Sequence, residues 1–225
     1  KWFSGTAYSI EKGRFATTFI DVTAQKQAEN AIRVLAESQT TELEIPKFLV
    51  RELAVAVDVP YALLAEIHPN DRGTAHTIAV WSDGDFVENF SYSLHGTPCE
   101  NVANEGASLS AHSVQTRFPE DDLLAEMRAE SYWGTPLKDK AGEASGILAI
   151  LDRRPMEAHP QTRSLLDSFA TRAGAELRRT HAEEELGKSE GVLRNAQKLT
   201  HLGNWEWTIA DDTIEWSEEM TEYSV

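Results

Sequence analysis

The chain has 225 residues, of which 41% are hydrophobic, enough to bury a core in one large domain or one medium domain with attachments. Its 37 acidic and 21 basic residues give a formal net charge of −16 with no basic stripe, which excludes nucleic acid as an expected direct partner. There is no apolar run of the roughly 20 residues a membrane span needs and no signal-peptide pattern, and the single cysteine can build neither an internal disulfide nor a cysteine-rich zinc site. The expected setting is reducing and cytoplasmic, without direct membrane contact.

The chain opens in strand pattern. Phe3 to Ile10 and Arg14 to Ile20 carry aromatic and β-branched residues around Glu11-Lys12-Gly13, which predicts a hairpin. From Asp21 the spacing turns helical, with Ala28, Ile32 and Leu35 on one stripe and Asp21 or Thr23 placed to cap its start. Two strands bury too little surface to offset their ordering entropy, so the chain is expected to begin inside a domain.

Residues 41–180 are the portion expected to form a complete domain. Thr41 to Glu44 fits a capping box, Pro46 suits a first helical turn, and Leu49, Leu53 and Ala56 line one helix face before Asp58-Val59-Pro60 stops it. Strands are predicted at 61–67, 75–81 and 86–94, separated by the turn signals HPNDRG and SDGD. An irregular crossover follows, with a short helix over Asp121 to Ala129 whose Leu123, Leu124 and Met127 form an apolar face. Two further strands, SYWGTPL and ASGILAILD, close the unit. After Pro160 a helix resumes with Leu166, Phe169, Ala173 and Leu177 on one stripe. This order predicts an α+β fold with an antiparallel sheet and flanking helices.

If unbroken to Leu199, the last helix would span roughly 60 Å, much longer than a globular domain needs. Leu186 and Leu193 stand seven apart, as in a coiled coil, yet Gly187 and Gly191 each cost about 1 kcal/mol relative to Ala, so a bend or break near Gly187 is an equal expectation. A second hairpin, Trp205 to Ile209 and Thr213 to Trp216 around Asp211-Asp212, is predicted next, and the chain is expected to end inside a domain as it began.

These stretches carry a family resemblance. GRFATTFIDVTAQKQAE, with Asp21-Val22-Thr23, resembles the closing strand of a PAS domain and the Asp-x-Thr signature that leads into a signalling helix. AQKLTHLGNWEWTIADDTIEWSEEM is similar to the opening of another PAS domain. Between them, YALLAEI, SLHGTPCENV and the run from Phe118 to Pro155 resemble a GAF domain of bacterial sensor proteins, most specifically in Gly134, Pro136, Leu137, Asp139 and Gly142. The resemblance implies the end of one PAS-like domain (1–23), a helical linker (24–40), a GAF-like domain (41–180), a second linker (181–199) and the start of a second PAS-like domain (200–225). It also implies a sensory fragment that is not itself an enzyme. Such a fragment would bind an unidentified small ligand, or serve as a homodimeric relay, and signal through its helical linkers to an output domain outside the chain, a histidine kinase or a cyclic-dinucleotide enzyme.

Cys99, in SLHGTPCENV, has four readings. As a nucleophile it would need a base, and His95 and His112 are near in sequence, but thiol redox chemistry of the kind some relatives perform also needs a resolving cysteine that this chain lacks. As a bilin anchor it would make the chain a photoreceptor, although the attachment pattern usually places His next and here Glu100 follows. As a metal ligand it would need partners, and the seven histidines show no i, i+4 pairing. The preferred reading is a small buried side chain at a strand-to-helix turn bordering a pocket, with Thr97 as N-cap and Pro98 at the first helical position. Trp81, Tyr92, Tyr132 and Trp133 are candidates to line that pocket, between the sheet and the crossover, although aromatics at strand positions are more often plain core. No cofactor is named by any motif, and no catalytic or metal-ligating residue is assigned. A non-binding dimerisation spacer remains an alternative.

Overall fold

The computed structural model describes residues 2–11, 14–21, 26, 45–200 and 205–216. The chain divides into two units, Lys1–Glu176 and Leu177–Val225. In the first, β1 (Phe3–Glu11) pairs antiparallel with β2 (Arg14–Asp21) as a separate two-stranded sheet, as expected. Phe3, Tyr8 and Phe19 are exposed on this hairpin. Apart from Lys26, the expected linker helix lies outside the described residues, as do Thr23 and the Thr41 to Glu44 capping box.

The rest of the first unit is built on one antiparallel sheet. Its strands are β3 (Tyr61–Ile67), β4 (Thr74–Ser82), β5 (Asp85–Val87), β6 (Ser91–Ser93), β7 (Ser108–Ser110), β8 (Ser131–Lys138) and β9 (Ala144–Asp152). They run in the order β5-β4-β3-β9-β8-β7, and β6 also pairs with β4. β3 and β9 therefore sit in the middle with neighbours on either side, and their sequences are nearly unbroken apolar runs because both faces are covered. Side-chain alternation sorts those faces. Leu63, Ala65, Ile147, Ala149, Leu151 and Tyr132 belong to one buried cluster with Cys99, Val102, Val114 and Leu124.

The other face carries Ala62, Leu64, Leu148 and Ile150, all buried. Helix α1 (Ile45–Val57) packs on β3 and β4 and buries Leu49, Val50 and Leu53. The long α5 (Pro160–Thr200) begins in this unit, where Leu165, Leu166 and Phe169 are buried and Asp167 Oδ1 accepts a hydrogen bond from Thr135 Oγ1 at 3.5 Å. Between the sheet halves lie three short helices: α2 (Pro98–Glu105), α3 (Val114–Arg117) and α4 (Asp122–Glu126).

Three sequence expectations need correction. The single strand predicted over 86–94 is two short strands, β5 and β6, both on β4. At the break a β4 side chain replaces a ladder partner: the Phe90 N–H donates to Thr77 Oγ1 at 2.8 Å, and Asn89 Nδ2 donates to the Ile78 carbonyl at 2.8 Å. β7 and α3 were not predicted, and the crossover helix is shorter than Asp121 to Ala129, ending before Arg128 at φ 54. By contrast, SDGD forms a tight hairpin turn, with Asp83 at φ 49, Gly84 at φ 99 and Ser82 paired to Asp85.

In the second unit α5 continues through Gly187 and Gly191 without a break in the helix. Leu186, Val192 and Leu193 are exposed on it. β10 (Trp205–Thr208) and β11 (Thr213–Trp216) form the predicted hairpin, and Trp207 Nε1 donates to Asp212 Oδ1 at 3.1 Å.

Close approach of β3 and β9 depends on Gly146, where an added Cβ would lie 2.6 Å from the Ala65 carbonyl oxygen. The neighbour is backbone and cannot swing away. Gly146→Ala is expected to lower unfolding stability by about 2 kcal/mol in urea titration, as overpacking does in a tight core. A loss indistinguishable from zero would contradict this packing.

Candidate functional site

The site grows from Tyr132 on β8. Its ring lies along the sheet over Gly134, where an added Cβ would overlap the Tyr132 hydroxyl and come within 2.7 Å of Val102 Cγ2. The glycine leaves the space the phenol occupies. Tyr132 is 1% exposed, and its hydroxyl meets Cys99 Sγ at 3.2 Å. Tyr92, on β6, donates its hydroxyl to the same sulfur at 3.5 Å. Cys99 sits in the first turn of α2, so one thiol links two phenols that arrive from different strands.

The start of α2 is close to expectation but differs in its chemistry. Thr97 is the N-cap and Pro98 the first helical residue, yet the Thr97 hydroxyl donates backwards to the Leu94 carbonyl at 2.7 Å instead of capping the helix. Glu100, next to Cys99, folds back over the preceding turn, where its carboxylate accepts the Gly96 N–H at 3.0 Å and lies 3.4 Å from His95 Nδ1.

Around the cluster is a cavity of about 30 Å³, room for little more than a water molecule. Leu63, Leu151 and Tyr132 come from the sheet, Phe90 and Tyr92 from the β5–β6 segment, Pro98 and Cys99 from α2, and Asp121, Leu123, Leu124 and Met127 from the α4 segment. Burial dominates the electrostatics. It pushes the Cys99 thiol up to about 11, against hydrogen bonds from Tyr132 and Tyr92 that favour the thiolate. It also raises both phenols well above their ordinary value, with Cys99 adding to the effect. Asp121 is raised for the same reason, although the N–H groups of Leu124 and Leu123 pull it down.

The α4 end of the cavity is held by a polar clamp. Arg153 donates to both Asp83 carboxylate oxygens, at 2.9 and 2.5 Å, and to the Tyr61 hydroxyl. Its Nε donates to the Met127 carbonyl at 3.3 Å, and Tyr61 donates to that same carbonyl at 3.1 Å. Its guanidinium also lies 5.0 Å from the centre of the Tyr61 ring. The Arg153 hydrogen bonds hold the Asp83 carboxyl below its ordinary value. A carboxyl lowered on folding adds stability above its unfolded pKa of about 3.9 and loses it as pH falls through the lower folded value.

Of the pocket residues predicted from sequence, Tyr92, Cys99 and Tyr132 come together and Trp81 and Trp133 do not. Trp133 follows Tyr132 on β8 and so points to the opposite face. Trp81 pairs with Ala62 and shares that face, its ring 5.0 Å from Phe86, over which Lys47 of α1 places Nζ at 5.6 Å. Asp21 ends β2 opposite Phe3. Sequence reasoning missed Phe90, hidden inside the strand predicted over 86–94, and Asp121, placed only as the start of the crossover helix. The apolar face of Leu123, Leu124 and Met127 was the visible signal for that side of the cavity. Among the described residues no three His, Cys, Asp or Glu side chains group as metal ligands, and no helix is long and apolar enough to cross a membrane.

Residues 45–177 match the GAF domain family. The chain belongs to that family. The GAF domain of an Acinetobacter phosphoenolpyruvate-protein phosphotransferase superposes with TM-score 0.55 at 12% identity, covering 74% of this chain and 99% of that one. The chromophore-binding domain of an unusual bacteriophytochrome from R. palustris gives 0.56 at 9% identity, covering 80% and 70%. That of a Stigmatella aurantiaca bacteriophytochrome gives 0.54 at 11%, covering 78% and 69%. At such identities the likeness is one of fold. No curated protein matches the chain. This chain shares the architecture of those domains.

A thiol at about 11 is almost wholly protonated at pH 8, and only the thiolate reacts. Iodoacetamide is expected to alkylate Cys99 in the native GAF domain about 100-fold more slowly than in the urea-unfolded chain, read by intact mass. Equal rates would place the sulfur in an open or electropositive site.

Proposed function

We propose that this chain is a cytoplasmic sensory fragment whose GAF domain binds a small molecule in the cavity between the sheet and the α2–α4 segment. The observation that carries this reading is the convergence of Tyr92, Cys99, Tyr132 and Asp121 on a cavity otherwise lined by apolar side chains. A few polar groups aimed into an apolar pocket are what a small-molecule site requires. The cover over it is built of short pieces held at one end by the Arg153 clamp, which suits a wall that rearranges to admit a ligand.

Ligand occupancy would be relayed through the residue 24–40 linker and α5 to an output domain outside the chain, a histidine kinase or a cyclic-dinucleotide enzyme. Two copies would pair through their helices, and the exposed Leu186 and Leu193, seven residues apart on α5, support a seam there. The flanking hairpins fit the reading of residues 1–23 and 200–225 as parts of PAS-like domains around a GAF-like domain at 41–180, since each presents exposed aromatic surface that a larger sheet would cover. The fragment itself is not an enzyme in this reading: its lone thiol is buried, protonated and without a second cysteine.

A second reading, a bilin on Cys99, draws on the fold shared with the chromophore-binding domains of two bacteriophytochromes. Glu100 in place of a following His, the protonated thiol and the cavity of about 30 Å³ weigh against it. Native followed by denaturing mass spectrometry separates the cases. The expected result is a dimer that releases a small molecule on denaturation. An apo mass in both spectra would favour a dimerisation spacer, and an adduct that survives on Cys99 would establish the anchor.

A further inference from the structure

The cavity has a carboxylate and three aromatic rings in its wall, and no Lys, Arg or His. Phe90 and Tyr92 stand with ring centres 5.9 Å apart and planes tilted by 55°, and Tyr132 lines the same cavity with its hydroxyl on Cys99. The two phenols and the thiol already satisfy one another, since Tyr92 donates to Cys99 and Cys99 meets Tyr132. Asp121 is different. The other charge bearing on its carboxyl is a second acid, Asp122, and burial outweighs the N–H groups of Leu124 and Leu123 that face it. An anion would meet this carboxylate, three aromatic side chains and a chain of net charge −16 with no Lys, Arg or His in the wall to receive it. A cation within about 6 Å of an aromatic face is attracted by the ring, and most strongly where water is excluded.

The geometry points to a small organic ammonium compound as the ligand class of this GAF cavity, its nitrogen paired with Asp121 and its carbons against Phe90, Tyr92 and Tyr132. This rests on the cavity being the ligand site. The volume of about 30 Å³ limits the compound to a few heavy atoms unless the α4 segment moves outward. Asp121 would set the sign of the charge accepted, and the rings would favour an alkylated nitrogen over a metal ion that prefers oxygen ligands.

Amide NMR titration of the full chain with ethylammonium chloride, sodium acetate and ethanol, at equal ionic strength, tests the inference. Ethylammonium is expected to shift the amides of Tyr92, Cys99 and Asp121 saturably, while acetate and ethanol leave them in place. Asp121→Asn, which keeps the shape and leaves the Leu124 N–H bonded to the residue 121 carbonyl, is expected to weaken that binding by about tenfold or more. Tyr92→Phe, which keeps the ring, should retain it, and Tyr92→Leu should not. Preferred binding of acetate or ethanol at the same amides would overturn the ammonium assignment and leave the cavity reading standing. So would undiminished ethylammonium binding by a folded Asp121→Asn chain. Silence at these amides with all three probes would overturn both.

Discussion

Burial of β3 and β9 on both faces is the constraint on which the rest depends. With strands on either side and helices on both faces, the polar side-chain atoms enclosed beside them are cut off from water and must find partners inside the protein. Asp152, at the end of β9, is 5% exposed and accepts Arg154 Nη2 at 2.8 Å, and the buried Ser131 donates to the Arg154 carbonyl at 2.6 Å. Among the described residues, every buried side-chain nitrogen or oxygen has such a partner. The same rule brings Tyr132 and Cys99 together. A phenol placed over Gly134 beside this core has one polar end, and the thiol of α2 is what it meets.

From that pairing the candidate site follows. Apolar residues of β3, β9 and α4 leave a small gap beside the thiol, and the groups that reach it are those whose own hydrogen bonds are made there. Burial holds the Cys99 thiol up at about 11, in hydrogen-bond contact with both phenol hydroxyls. At the other end the Arg153 clamp fixes the Met127 carbonyl, so the cavity wall is tied to the ends of β3, β4 and β9. A ligand that moved α4 would therefore load the same strands that carry the central sheet.

Much of this fold was legible in the sequence because its strands obey local rules. YALLAEI and ASGILAILD are nearly unbroken apolar runs, as doubly covered strands are, and SDGD makes the turn its residues favour. The break at Asn89-Phe90 was not legible, since it depends on Thr77, a residue 13 positions away whose side chain takes over a backbone hydrogen bond. Tyr132 and Trp133 could have been assigned to opposite faces by alternation alone, but which face holds a cavity is decided by α2 and α4, brought in over long range. Asp121 shows the same limit: at the start of a short helix a capping acid and a pocket acid have identical local sequence. Gly187 and Gly191 carry a propensity cost near 2 kcal/mol together, and α5 runs through both unbroken.

A crystal structure of the chain, purified without unfolding or extensive dialysis, would test the central claim most directly. The expected result is density in the cavity, larger than one water, bounded by Asp121, Tyr92 and Tyr132, with the α4 segment displaced outward to enclose it. Leu123 and Met127 closed over a dry gap or a single ordered water, in protein that is otherwise fully assembled, would contradict a sensory pocket and leave the domain as a spacer.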